Sequence, residues 1–128
     1  MSIRSFEELE IWKESRKLAK EVRIITRRPP FCQDFRFCAQ INASAGSVMG
    51  NIAEGFERDG NKEFCQFLYI AKGSNGEVRS QSYRAFDAGF INESELEDIL
   101  KRTESLKNKI NRFIVYLKGS DNRGNKYK

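Results

Sequence analysis

The sequence contains no histidine, only two prolines and only three cysteines. Without histidine, a Ser-His-Asp or Cys-His nucleophile and a histidine general base are excluded, and most zinc sites are disfavoured. Cys32, Cys38 and Cys65 are odd in number and lack a Cys-x-x-Cys spacing, which is typical of a reduced compartment. We therefore expect a cytoplasmic protein in which the cysteines are small core side chains.

Long apolar runs are also missing, so the sequence predicts neither a transmembrane helix nor a signal peptide. Hydrophobic residues make up 39% and charged residues 32% of the 128 residues. This balance fits one domain with a buried core and fits neither a disordered chain nor a membrane protein. The formal net charge of +5 permits a polyanionic partner without establishing one.

Apolar periodicity and stop signals predict four helices, each about 22 to 27 residues long. Connections of about four to seven residues force successive helices to be antiparallel. The expected fold is an all-α, up-down-up-down four-helix bundle over residues 1–118. The last helix is expected to end at Gly119, and residues 119–128 are expected to form a short, basic, disordered tail.

Helix-capping residues mark the predicted boundaries. Asp34 is a good N-cap for the second helix and Asn61 for the third. Asn92 and Glu95 have the spacing of a capping box at the start of the fourth helix. Gly89 is the expected stop of the third helix.

The first helix carries a basic stripe that spans an arc of roughly 120° opposite its apolar face. We interpret this stripe as a phosphate-contacting surface for RNA or DNA. A solvated helix face is the alternative, and no aromatic residue interleaves the stripe to indicate base stacking. The residues of this basic stripe are Lys13, Arg16, Lys17, Lys20, Arg23 and Arg27.

The second helix has a face of small residues beside its core positions. Its two glycines each cost about 1 kcal/mol relative to alanine inside a helix, so close approach of another helix is the simplest compensation. That neighbour belongs either to the same chain or to a second subunit. The small-residue face consists of Ala39, Ala43, Gly46, Gly50 and Ala53.

The third and fourth helices carry more apolar residues than one buried stripe requires. Tyr69, Ile70 and Tyr116 extend the apolar surface around these helices. A second apolar face predicts another interface, so we expect a homo-oligomer. The alternative is that the long tyrosine side chains lie at the edge of the bundle.

Polar residues on the middle helices raise the question of catalysis. Glu54, Glu63 and Asn51 could serve acid–base chemistry or a di-metal site, but the Glu-x-x-His pairs of di-iron bundles are missing. Hydrogen bonding between helices or a solvated groove is the simpler interpretation. The segment 73–76 (Gly-Ser-Asn-Gly) lacks the order of a phosphate loop and is predicted inside a helix, where it permits a kink or close contact. We expect no catalytic residue, metal or cofactor.

Several segments together resemble a known family. They are Ser5-Phe6-Glu7-Glu8-Leu9-Glu10-Ile11-Trp12, Gln40-Ile41, Asn51-Ile52-Ala53-Glu54-Gly55-Phe56, Arg58, Lys62-Glu63-Phe64, Phe67 to Ser74, Glu77 and Gly89-Phe90-Ile91. The chain resembles the four helix bundle proteins, also called the intervening-sequence proteins of the bacterial large-subunit ribosomal RNA gene. The resemblance extends from Ser5 to about Lys118.

This resemblance implies an antiparallel bundle that assembles as a homopentameric ring and is not an enzyme. Founding members of the family are encoded within insertions in ribosomal RNA genes. Similar bundles are basic, nucleic-acid-binding accessories of diversity-generating retroelements. An adaptor that docks a protein, such as a reverse transcriptase or a ribosome-associated factor, is the alternative function.

The chain departs from the family pattern on the second helix. After Gln40-Ile41 the family usually has two adjacent basic residues, whereas this chain has Asn42 and Ala43. A proline is usual in the following segment, where this chain has Met49. The loss of two positive charges weakens any nucleic-acid site on the second helix and leaves the basic stripe as the main candidate.

Overall fold

The structure, a computed structural model, describes the backbone of residues 3–127 and the side chains of residues 3–120. Four α-helices and two short 3-10 helices account for most of these residues, and no strand occurs among them. The prediction of an all-α fold with four helices is confirmed. The 3-10 helices are Phe6–Glu8 and Phe31–Gln33, and the α-helices are α1 (Glu10–Thr26), α2 (Phe35–Phe56), α3 (Asn61–Asp87) and α4 (Glu93–Tyr127).

Two of the predicted helix starts are confirmed by their side-chain caps. The carboxylate of Asp34 accepts a hydrogen bond of 3.1 Å from the backbone N–H of Phe37 at the start of α2. At the start of α4, Asn92 accepts from the N–H of Glu95 at 2.8 Å. The Glu95 carboxylate in turn accepts from the N–H of Asn92 at 2.9 Å. Both ends of this capping box satisfy backbone donors that the helix itself leaves unpaired.

The predicted stop of α3 at Gly89 is also confirmed. Gly89 has a φ of +79°, a left-handed conformation that favours glycine. The N–H of Phe90 then reaches back to the carbonyl of Ala85 at 2.9 Å, and the N–H of Gly89 to that of Phe86 at 3.0 Å. These two backbone hydrogen bonds, which run from the residues after the helix back into its last turn, end α3 and direct the chain toward α4.

The predicted cap of α3 by Asn61 is wrong. Gly60, with a φ of +89°, occupies the cap position, and Asn61 is the first residue of the helix. The Asn61 amide instead donates a hydrogen bond of 3.3 Å to the carbonyl of Leu117 on α4. The Asn61 side chain, which the local pattern assigned to capping, therefore forms a hydrogen bond between α3 and α4 instead.

The predicted end of the last helix at Gly119 is wrong as well. Helix α4 continues to Tyr127, and Gly119 keeps a helical backbone. A glycine ends a helix when it adopts the left-handed conformation, and Gly119 does not. The helix thus runs through the segment that the sequence assigned to a tail, whose side chains from residue 121 onward lie outside the described ones.

The core is formed by one apolar stripe from each helix, as the periodicity predicted. Burying a valine, leucine or isoleucine side chain contributes about 1.5 to 3 kcal/mol to the stability of the fold, so these stripes are the main stabilising element. The fully buried side chains include Leu18, Val22, Ile41, Val48, Ile52, Leu68, Val78, Leu106 and Ile110. No helix among the described residues is long and apolar enough to cross a membrane.

Polar side chains join neighbouring helices at defined levels. Ser47 on α2 and Ser74 on α3 share a hydrogen bond of 2.9 Å. The segment 73–76 lies inside α3, as predicted. Close contact at its glycines is not found, because a Cβ added at Gly73 or Gly76 would meet no atom within 4 Å. On the other side of α3, the buried amide of Asn75 donates to the carbonyl of Thr103 at 2.8 Å.

An ion pair fastens the end of α1 to the start of α4. The guanidinium of Arg28 lies 2.5 Å from the Glu95 carboxylate. This hydrogen bond, together with the N–H of Asn92, holds the pKa of Glu95 below its ordinary value. Ionised Glu95 thus serves both the capping box and the contact between helices.

Replacing Glu95 by glutamine is expected to lower the free energy of unfolding at pH 7 by under about 1 kcal/mol. Because the folded-state pKa lies below the unfolded one, this contribution is present above about pH 4.3 and is lost as the pH falls through the folded-state pKa. Urea unfolding of both proteins between pH 7 and pH 2 measures the difference. Glutamine keeps a cap acceptor, so a difference that stays constant over this range would contradict the charge effect.

Candidate nucleic-acid interface

The basic stripe of α1 faces solvent because the opposite face of the helix is buried. Ile11, Leu18 and Val22 point into the core, and at 100° per residue the intervening cations are turned outward. All six residues of the stripe are exposed, namely Lys13, Arg16, Lys17, Lys20, Arg23 and Arg27. The helix thus presents one continuous row of cations.

Within the described part of the chain, no residue of the basic stripe takes part in an ion pair. The acids of α1 are turned to its α4 side, where Glu10 and Glu14 both contact Lys109, at 2.9 and 2.8 Å. The cations of the stripe are therefore free of ion pairs with the described residues, and Glu8 and Glu10 attract Lys13 only at longer range. Unpaired surface cations attract polyanions, and their counterions are released when a phosphate backbone binds.

A surface groove of about 550 Å³ lies along the N-terminal half of the basic stripe. Helix periodicity did not indicate this groove, because in helical projection Trp12 lies beside the apolar face of α1. The guanidinium of Arg16 lies 5.8 Å from the centre of the indole ring. The lining residues are Glu7, Trp12, Lys13, Arg16, Lys17 and Lys20. An aromatic ring therefore does lie beside the cations.

The small-residue face of α2 is uncovered in the protomer. Ala39, Ala43, Gly46 and Gly50 are exposed, and Ala53 is half-buried. A Cβ added at Gly46 or Gly50 would meet no atom within 4 Å. Packing against a helix of the same chain, one of the two predicted explanations, is therefore wrong for these glycines.

The departure from the family pattern at Asn42 has a structural role. Its amide donates to the hydroxyl of Thr26 at 3.0 Å and to the carbonyl of Cys38 at 2.8 Å, which ties α2 to the end of α1. Ala43 next to it is exposed on the small-residue face. No charged residue occurs between Arg36 and Glu54 in the sequence, so this face of α2 carries no charge.

The surplus apolar residues of α3 and α4 are exposed in the protomer. Tyr69, Ile70 and Tyr116 have exposed fractions of 47%, 52% and 44%. The Tyr69 hydroxyl accepts a hydrogen bond of 2.7 Å from Lys118. Phe35, at the start of the small-residue face, is 81% exposed, and its place one turn before Ala39 was the available signal.

The acidic and amide candidates of the middle helices are exposed or form contacts within α2. Glu54 pairs with Arg58 one turn later at 2.9 Å, and Glu63 is exposed. The Asn51 amide donates to the carbonyl and hydroxyl of Ser47. Over the described residues, no group of three or more His, Cys, Asp or Glu side chains is placed to hold a metal ion.

The three cysteines differ in exposure. Cys65 is buried, whereas Cys32 and Cys38 are half-buried. Cys38 donates to the carbonyl of Phe31 at 3.1 Å. Burial raises its thiol pKa, so it is un-ionised at neutral pH.

Comparison with known proteins gives one family match. The sequence profile described as 23S rRNA-intervening sequence protein matches residues 7–112, which include the basic stripe, the groove and the small-residue face. No curated protein matches the sequence.

Proposed function

The chain belongs to the 23S rRNA-intervening sequence protein family, and from that premise we propose that it is a non-enzymatic homo-oligomer that binds RNA or DNA electrostatically. The basic stripe of α1 supplies the phosphate contacts. Five subunits are proposed on the family resemblance, and no cofactor takes part.

The exposed cations of the basic stripe are the observation that carries this proposal. Its six side chains are exposed and make no ion pair within the described residues. Binding to phosphates therefore costs no protein ion pair. Assembly multiplies the stripe by the number of subunits, so a long polyanion that contacts several copies binds more tightly than one copy allows.

The uncovered apolar surfaces support self-association. Two glycines on the exposed face of α2 cost about 1 kcal/mol each relative to alanine, and no atom of the protomer lies close enough to compensate at Gly46 or Gly50. A second subunit that approaches the α2 backbone closely supplies the missing compensation. Tyr69, Ile70 and Tyr116 provide a further apolar surface for such contacts.

Light scattering on the purified protein tests the proposal directly. We expect an oligomer that carries nucleic acid at low salt and loses it after nuclease treatment or at high salt. The affinity for an added oligonucleotide should fall steeply with salt, with a slope of about 0.9 per phosphate contact in a plot of log affinity against log salt. A monomer would contradict the assembly, and a protein that binds no nucleic acid at low salt would contradict the interface.

A protein adaptor is the second candidate, because the small-residue face of α2 is uncharged and uncovered. Such a face suits an apolar partner surface rather than a phosphate backbone. An oligomer that is free of nucleic acid at low salt and retains a co-purifying protein at moderate salt would favour this function.

A further inference from the structure

Electrostatic binding leaves one part of the groove unused, the indole of Trp12. Trp12 is half-buried, so part of the ring faces the groove between the cations. Phe6 contacts the indole at an interplanar angle of 64° with ring centres 5.1 Å apart. This edge contact holds the indole in one orientation without stacking on it.

The guanidinium of Arg16 lies over the indole at 5.8 Å, close to the limit of about 6 Å for cation–π attraction. Stacked bases lie about 3.4 Å apart, so a base between the two groups needs about 6.8 Å. The separation must therefore open by about 1 Å. Arg16 is exposed, and its long flexible side chain absorbs such a shift.

We propose that this groove binds single-stranded nucleic acid, with an unpaired base stacked on Trp12 and phosphates held by Lys13, Lys17 and Lys20. The inference rests on the proposed function, because it adds base stacking to the same cationic face. Bases within a duplex already stack on one another, so their faces are closed to the indole. The protein thus prefers single strands, with little dependence on sequence because every base has a π-face.

Trp12 is the only tryptophan of the chain, so its fluorescence reports on this groove alone. The full protein is titrated with a mixed-sequence DNA strand, with the duplex that this strand forms with its complement, and with inorganic polyphosphate. We expect the single strand to quench Trp12 to a saturating level. The duplex and polyphosphate should bind with little quenching.

Trp12→Leu is the matching variant, since leucine is apolar but cannot stack a base. Anisotropy of a labelled strand should show an affinity about tenfold lower, within the range for loss of one base–aromatic stack. Affinity for the duplex and for polyphosphate should change less than twofold. Tyr83→Leu, at an exposed aromatic on α3, is the control and should bind every ligand as the wild type does.

Base stacking would be overturned if Trp12→Leu lowered the affinity for all three ligands equally or left the affinity for the single strand unchanged. Equal quenching of the wild type by polyphosphate would also overturn it. None of these results would contradict electrostatic binding. Absence of binding to all three at low salt would overturn the proposed function and the inference together. If circular dichroism shows that Trp12→Leu does not fold, the comparison of quenching in the wild type decides.

Discussion

Replacing Lys17 and Lys20 together by glutamate is expected to lower nucleic-acid affinity by at least about 50-fold near 0.1 M salt. Each phosphate contact changes the logarithm of the affinity by about 0.9 per tenfold change in salt, so two lost contacts account for this factor. Repulsion between the new glutamates and the phosphates would add to it. Both lysines are exposed and make no ion pair within the described residues, so the fold should be unaffected. Filter binding over a range of salt concentrations, beside a urea melt, measures both effects.

The control for this variant is the exchange of Lys62 and Lys101 for glutamate. These lysines are exposed on α3 and α4. Both double variants lower the formal charge by four, from +5 to +1. We expect the control to retain most of its affinity and its full salt slope, whereas the slope of the α1 variant should fall by about 2. Equal losses in the two variants would assign binding to overall charge and not to the basic stripe.

Replacing Gly55 by alanine is expected to destabilise the protein by about 1 to 3 kcal/mol. The added Cβ would lie 2.7 Å from the Cβ of Phe67 and 2.9 Å from Cδ1 of Phe64. Gly55 is buried near the end of α2, and the nearest of these atoms is close to the α3 backbone, so the two helices must separate. Urea unfolding of the variant gives the change in free energy.

The same substitution at Gly76 is the matched control. Gly76 lies within α3, and its added Cβ would meet no atom within 4 Å. Alanine there should raise the free energy of unfolding by about 0.5 to 1 kcal/mol, because it restricts the unfolded chain. If both variants gain stability, Gly55 is not closely packed. A loss at Gly50, whose surroundings in the protomer are equally open, would instead indicate a close contact between subunits.

Structural features that depend on residues within one or two helical turns of each other could be predicted from the sequence. The capping box of Asn92 and Glu95 and the stop at Gly89 depend on residues a few positions apart, so local patterns suffice. Asn61 shows the limit of such patterns. Its amide donates to the carbonyl of Leu117, which lies far along the chain. Packing between helices decides whether the Asn61 side chain caps α3 or bonds to α4, and no local pattern contains that information.

In the candidate site, too, the features that depend on one helix were predictable, and those that depend on a neighbouring element were not. The outward direction of the basic stripe follows from helix periodicity and the buried positions of α1. The groove does not, because Glu7 comes from the short 3-10 helix that precedes α1. A helical projection gives the angle of Trp12 but neither its exposure nor the position of a neighbouring element. Pairs such as Trp12 and Arg16, one turn apart, were the available signal.

The buried amide of Asn75 and the guanidinium of Arg79 join α3 to α4 at the level of Thr103. The amide donates to the carbonyl of Thr103 within an otherwise apolar seam. If α4 slid by one turn, leucines and isoleucines would still meet apolar neighbours and another backbone carbonyl would come near the amide, but the Thr103 hydroxyl would move away from Arg79, from which it accepts a hydrogen bond of 3.2 Å. These polar contacts give up some apolar burial, and the Asn75 amide oxygen has no hydrogen-bond partner among the described residues, but they disfavour the shifted bundles that similar stripes would otherwise permit.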